Sequence, residues 1–263
     1  MSDSLEPEDI LASSLESLYD YTPITHSTPG ALFKYTSPND PELSITLSTP
    51  DTAAENWSLH ASSIWVSALY IADHLSELGI PDTETTHILE LGAGAGLPSI
   101  LIAKAHPRVH VVASDYPDDN LIHALEQNVA RNDVAGRCRV VPHAWGADST
   151  ALGSPFDVVV AADTLWNSAM HASLLTTLCG VLARTPGARV HLVAGLHTGR
   201  YTLGAFLREA EGRGFVVAEA VEREVSGVGQ RAWDVERDEG VEAERERRKW
   251  VVWMVLRWGR EVV

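Results

Sequence analysis

The sequence predicts an α/β fold: a seven-stranded, mostly parallel sheet with an antiparallel last strand and helices on both faces. Two observations carry this. From Trp57 onward, short β-branched runs alternate with helix-length stretches, the pattern of parallel strands covered on both sides. The last two apolar runs, Phe215–Val221 and Trp250–Trp258, follow one another without a convincing helix between them, which suits antiparallel pairing at the sheet's end.

The elements follow in order. Leu5, Ile10, Leu11, Leu15 and Leu18 are spaced helically with acids between them, so residues 4–19 read as a short amphipathic helix. Residues 22–56 are rich in Thr, Ser and Pro, and their apolar patches Ala31–Phe33 and Leu43–Leu47 can pair as a small hairpin. Ser58–Leu78 has a helical period through Leu59, Ile64, Trp65, Ala68, Leu69, Ala72 and Leu75, stopped by Gly79 and Pro81. His87–Leu91 is the first strand of the alternating region and Pro98–Ala105 its helix. Val109–Ser114 and a helix near Asp119–Arg131 come next, then a strand at Arg139–Val141. Phe156–Ala161 leads to a helix near Ala169–Ala183, and Arg189–Gly195 to one at Tyr201–Gly212. The charged stretch Ser226–Lys249 reads as a solvated loop or frayed helix. Two units result: an acidic N-terminal extension, 1–56, and the α/β domain, 57–263.

Composition narrows the function. The chain has 263 residues, 45% hydrophobic and 21% charged, with a net charge of -16, a globular balance. Such a chain repels polyanions, so no nucleic-acid partner is expected. Residues 1–60 carry ten acids against the single base Lys34, hence -9 of the total. The two cysteines, Cys138 and Cys179, build no disulfide framework or zinc spacing. No h-region follows the N-terminus, and no apolar run approaches the ~18 residues of a membrane span. The expectation is a soluble cytoplasmic protein, with the nucleus as a second compartment, a monomer with no metal and no membrane partner.

The chemistry sits at strand ends. The first strand of the alternating region runs into His87–Pro98, H-I-L-E-L-G-A-G-A-G-L-P. Glycines 92, 94 and 96 let backbone approach a ligand where a side chain would block it, and the following helix N-terminus suits an anionic group. The spacing is G-x-G-x-G, with Leu97 where a dinucleotide fingerprint needs its third glycine, and no Walker lysine follows. Glu90, two residues before Gly92, opposes a pyrophosphate but balances a cationic amino group. Asp115 ends the second strand and can accept both ribose hydroxyls. Trp145, in H-A-W-G, lies beside the same crevice and can stack on adenine. A-A-D-T-L-W puts Asp163 and Trp166 at the carboxyl edge of the sheet. Together these residues imply a nucleoside with a cationic amino-acid tail, which is S-adenosyl-L-methionine. His26, His60 and His143 read as structural or surface histidines.

These motifs, with S-D-Y-P-D-D-N-L at Ser114–Leu121, resemble the Rossmann-like class I methyltransferases. More narrowly, they resemble the family 16 protein lysine methyltransferases and their fungal members acting on elongation factor 1-alpha. The resemblance covers about Trp57–Trp258. It implies that Trp65 closes over the cofactor. Gly92 and Gly94 would meet its amino-acid part with Glu90 in support, Asp115 would hold the ribose, and Ala93 and Tyr116 would join them in binding the cofactor. Trp145 and the Ala162 backbone would flank adenine, leaving Asp163 and Trp166 beside the transferred methyl. The N-P-P-Y signature of enzymes acting on planar amides or base amines is absent, because Thr164 and Leu165 stand where the prolines would be. The implied activity is N-methylation of a protein amine, a lysine or an N-terminal amine, on a basic, translation-factor-like partner. A small-molecule, nicotinamide-like acceptor and a non-catalytic cofactor-binding scaffold are the alternatives.

Overall fold

The structure is a computed structural model describing residues 22–81, 84–153, 155–238 and 242–262. The helix expected over 4–19 lies outside them. In chain order the elements are β1 (Thr25–His26), β2 (Leu32–Thr36), β3 (Ser44–Ser48), β4 (Ile64–Trp65), α1 (Val66–Asp73), β5 (Thr86–Leu91), α2 (Leu97–Ala105), β6 (Val109–Asp115), α3 (Asp119–Arg131), β7 (Cys138–Pro142), β8 (Val158–Ala162), α4 (His171–Val181), β9 (Arg189–Gly195), α5 (Arg200–Gly212), β10 (Phe215–Glu224), β11 (Gln230–Ala232), α6 (Glu244–Arg247) and β12 (Trp250–Trp258).

The main sheet has eight strands in the order β11-β10-β12-β9-β8-β5-β6-β7. β5 to β9 are parallel, whereas β12 runs antiparallel to both β9 and β10. The eighth strand, one more than expected, is β11. It comes from the segment read as a solvated loop and pairs with β10 at the edge. β12 enters between β9 and β10, and its run W-V-V-W-M-V-L-R-W is accordingly buried on both faces over Val251–Leu256.

Strand periodicity sorts the core into two layers. Val158 and Val160 join α1, α2 and α3 on one face. Val159 and Ala161 join α4 and α5 on the other. The expected N-terminal hairpin forms as β2 and β3, and its Tyr35, Ile45 and Leu47 belong to the first layer. Its edge is clipped to α3 by two asparagines four residues apart. Asn128 accepts from Ser48 N at 2.7 Å and donates to Ser48 O at 2.8 Å. Asn132 accepts from Thr46 N at 3.0 Å and donates to Thr46 O at 2.9 Å. The two amides satisfy the strand edge as a further strand would.

The continuous helix expected over Ser58–Leu78 is not formed. A 3-10 turn spans Ala54–Leu59, His60 takes a left-handed conformation (φ 55°), β4 pairs with β1, and only then does α1 begin. The apolar spacing is right for a helix, but Ile64 and Trp65 are drawn into an extended pairing with a segment some forty residues earlier. Trp65 therefore stands just before α1 rather than on it.

Candidate active site

The chain runs from β5 outward through β6 to β7, then returns to lay β8 on the other side of β5. That reversal opens a crevice at the carboxyl ends of β5 and β8, where open α/β sheets bind ligands. A cavity of about 430 Å³ fills it, within the usual range for a cofactor site.

Its floor is the turn after β5. Gly92, Gly94 and Gly96 have φ of 71°, 54° and 85°, values costly for any residue with a side chain. A Cβ on Gly92 would sit 2.9 Å from Thr164 Cγ2 and 3.4 Å from Trp145 Cζ2, inside the cavity wall. Asp115, at the tip of β6, accepts from Gly94 N at 2.6 Å and from Tyr116 N at 2.7 Å. Burial pushes its carboxyl up to about 6; these two hydrogen bonds oppose the rise and Asp118 adds to it. Glu90 lies below, accepting from Ser99 N at 2.9 Å and from the Ser99 hydroxyl. Burial pushes it up to about 8 against those bonds, with Asp115 contributing. Two adjacent carboxyls this reluctant to ionise are well matched to a cationic guest, which would favour their charged forms.

The walls come from four segments. Ala93 continues the glycine turn, and Tyr116, 41% exposed, stands at the end of β6. His143, Ala144 and Trp145 follow β7. His143, read as structural or surface, is buried 3.1 Å from Thr177 Oγ1, which also accepts from Gly146 N at 2.9 Å. Ala162 ends β8, and Asp163 and Trp166 follow it. The fourth wall is the Ala54–Leu59 turn. Asp118 anchors it, capping α3 through Leu121 N while accepting from Asn56 Nδ2 at 2.7 Å and Ala53 N at 3.2 Å. All eleven residues singled out from the sequence therefore line one cavity.

Asp163 occupies a left-handed conformation (φ 50°) that a non-glycine residue adopts only when its surroundings hold it there. Its Oδ1 accepts from Gly195 N at 2.7 Å, and its Oδ2 from Ser67 N at 3.3 Å, in the first turn of α1. Each oxygen keeps a further lone pair. Above it the mouth is aromatic. Trp65 donates its Nε1 proton to His60 O at 2.7 Å. The His60 ring stands edge-on to Trp65 at 6.1 Å and to Trp166 at 4.9 Å. His197 stacks on Trp65 at 5.4 Å.

Sequence reading missed Asn56 and His197, and it left His60 as structural or surface. His60 is exposed, as that reading allowed, yet lines the mouth. The left-handed turn that brings it there is not coded by a local motif. Among the described residues no His, Cys, Asp and Glu cluster could hold a metal ion, and no helix is long and apolar enough to cross a membrane.

A family model described as lysine methyltransferase matches residues 44–199, more than half of the chain. "Protein N-terminal and lysine N-methyltransferase efm7" of Schizosaccharomyces pombe is 33% identical over 145 residues, covering 51% of this chain and 56% of that protein. Its namesake in Yarrowia lipolytica is 29% identical over 210 residues, covering 70% and 73%. The aligned stretches thus span about half to three quarters of these relatives. In fold, the chain resembles the glycopeptide N-methyltransferase MtfA complexed with sinefungin, with a TM-score of 0.55 at 16% identity, over 73% of this chain and 86% of that one.

Proposed function

The chain belongs to the lysine methyltransferase family, and on that premise we propose that it transfers methyl groups from S-adenosylmethionine to an amine of a protein, a lysine side chain or an N-terminal amine. The observation that carries this is the cavity at the sheet reversal, where a glycine floor, two buried carboxyls and an aromatic mouth converge. The cavity fits the cofactor: Gly92 leaves space a Cβ would take, and Glu90 and Asp115 offer acceptors to an amino group and a ribose diol. When bound, S-adenosylmethionine supplies an electrophilic methyl on a sulfonium.

In this reading Gly92, Ala93, Gly94 and Glu90 receive the amino-acid part, Asp115 and Tyr116 the ribose, and Trp145 and Ala162 the adenine. Trp65 covers the site. The chain's task toward the acceptor is orientation, because in-line displacement gains most from proximity. The acceptor must also be neutral. Holding a lysine deprotonated near neutral pH costs roughly 4 kcal/mol, an N-terminal amine about 1 or less. An aromatic mouth lowers that cost by disfavouring the ammonium. Asp163 favours the ammonium instead, so its role is to bind and aim the amine, with Trp166 packed beside it. The partner is taken to be basic: the chain's charge is -16, and complementary charge speeds encounter.

The test is to incubate the protein with methyl-labelled S-adenosylmethionine and a lysate of its source cells, then resolve the products on a gel. A discrete labelled protein band is expected. Label confined to small molecules would overturn the protein acceptor, and absence of calorimetric cofactor binding would overturn the enzyme reading itself. Asp163→Asn is expected to cut turnover at least a hundredfold with cofactor affinity within about threefold; loss of cofactor binding would remove Asp163 from the acceptor side.

A further inference from the structure

Beyond the residues already assigned, one histidine stands where the two halves of the site meet. His197 follows β9 on the same carboxyl edge, its side chain 16% exposed. One ring face covers Trp65 at 5.4 Å with an interplanar angle of 24°. Its Nε2 lies 3.9 Å from Asp163 Oδ1. Its Nδ1 is buried and without a hydrogen-bond partner. The reason for that last fact is Gly195: a Cβ there would overlap the His197 ring at Nδ1 and Cε1. Gly195 has φ -67°, which any residue adopts, so its lack of a side chain serves space and not backbone conformation. The same Gly195 donates its N–H to Asp163 Oδ1 at 2.7 Å. Glycine at 195, histidine at 197, the strained Asp163 and Trp65 therefore form one packed unit, and His197 is the member that touches the other three.

We propose that His197, seated in the space left by Gly195, is a positioning residue for methyl transfer: its ring holds Trp65 over the cavity and its Nε2 edge limits the directions open to the Asp163 carboxylate. The proposal rests on the methyltransferase reading above. A polar imidazole is suited to this in a way an aliphatic side chain is not, since it offers a flat face to the indole and a polar edge to the carboxylate. A mobile Trp65 would expose the cofactor to water; a freely swinging Asp163 would aim the amine less well. The unpartnered Nδ1 counts against a purely structural role. A buried polar atom left without a partner costs stability, and phenylalanine would fill the same slot without that cost.

Two variants separate face from edge. His197→Phe keeps the stacking face and removes the polar edge. Gly195→Ala keeps His197 but pushes its ring out of place, without backbone strain and without removing the Gly195 N–H. Initial rates are measured against labelled S-adenosylmethionine concentration, with a fixed source-cell lysate as acceptor; cofactor affinity is measured by calorimetry and folding by thermal midpoint. His197→Phe should lower the limiting rate at least tenfold, with KM for S-adenosylmethionine and cofactor Kd within about twofold and an unchanged or raised midpoint. Gly195→Ala should lower the limiting rate and also raise cofactor Kd several-fold, because Trp65 loses its support. Wild-type limiting rates in both variants would overturn the proposal, as would a His197→Phe defect that appears in cofactor Kd alone. If the wild-type chain neither binds the cofactor nor transfers label, the methyltransferase reading has failed instead, and that result is distinct from either.

Discussion

Gly92 and Gly96 lie four residues apart with the same left-handed backbone, yet they do different work. A methyl group on Gly92 would project at Thr164 and Trp145, into the cavity; one on Gly96 would meet Leu125 Cδ1 at 2.5 Å and Ile100 Cδ1 at 3.2 Å, in the core. Both substitutions carry about 1–2 kcal/mol of backbone strain, and overpacking at Gly96 adds roughly 1–3 kcal/mol. Gly92→Ala is therefore expected to weaken calorimetric cofactor binding at least tenfold with a modest loss of stability. Gly96→Ala should cost stability on urea denaturation by about 2–5 kcal/mol and leave the affinity of the remaining folded protein nearly unchanged. The buried carboxyls give a second expectation at this scale. Burial raises Glu90 to about 8 and Asp115 to about 6, so near neutral pH the folded chain holds protons that the unfolded chain has released. Their contribution to stability is full below the ordinary carboxylate range and is lost as pH rises through about 6 and then about 8. The urea midpoint of the cofactor-free protein should fall over that window, and Glu90→Gln should flatten the upper part of the fall. An unchanged slope in the variant would show that Glu90 is not the group responsible.

Among elements, the hairpin clip on α3 is the device least visible beforehand. Asn128 is fully buried; besides its pair of bonds to Ser48, its amide donates to Ala95 O at 2.9 Å in the glycine turn, and its oxygen accepts from Arg131 Nη1 at 2.6 Å. Asn128→Ala strips partners from β3 and from the turn at once. Left buried, such groups cost about 1–3 kcal/mol each, so a loss of about 2–4 kcal/mol on denaturation is expected, together with weaker cofactor binding through the loosened turn. Asn132→Ala, which reaches β3 but not the glycine turn, should lose stability while keeping affinity. The contrast with what the sequence disclosed is instructive. β5, β6, β8 and β9 were legible because each is a short, mainly apolar run between helix-length stretches. The glycine turn and Asp115 were legible because a ligand accounts for glycines and a carboxylate at adjoining strand ends, although Gly96 in the same run answers to core packing instead. The Asn clip and the β1–β4 pairing were not, because each depends on a partner tens of residues away that local periodicity does not encode; the left-handed His60 was not, because no local motif marks it.

At the scale of the whole molecule, two charges of the stretch 226–249 that looked like solvated surface, Arg231 and Glu242, are half-buried against an interior ion pair. Arg200, at the start of α5, is fully buried and makes a bidentate pair with the equally buried Glu222 of β10, both bonds 2.8 Å long. Arg200 Nη1 also donates to Glu242 Oε2 at 2.7 Å, and Arg231 bridges the same two acids at 2.6 and 2.7 Å. This network fastens the charged segment across the antiparallel end of the sheet, beside the helix that follows His197. The run D-V-E-R-D-E-G-V-E-A-E-R-E-R-R-K gives no hint of it, since a buried ion network and a solvated charge run have the same composition. Removing one partner from a buried pair costs up to about 3–5 kcal/mol, and without Arg200 the buried Glu222 is left with only the half-buried Arg231 and Arg237 to compensate it. For a chain of this length each kcal/mol lowers the thermal midpoint by about 2–4 °C. Arg200→Met should therefore lower the midpoint by on the order of 10 °C in calorimetry. Glu222→Leu in the same chain removes the under-compensated buried acid, and the double variant should recover part of the loss. A single-variant shift below about 2 °C would mean that the network behaves as exposed salt bridges do, and that the segment is held by its apolar contacts alone.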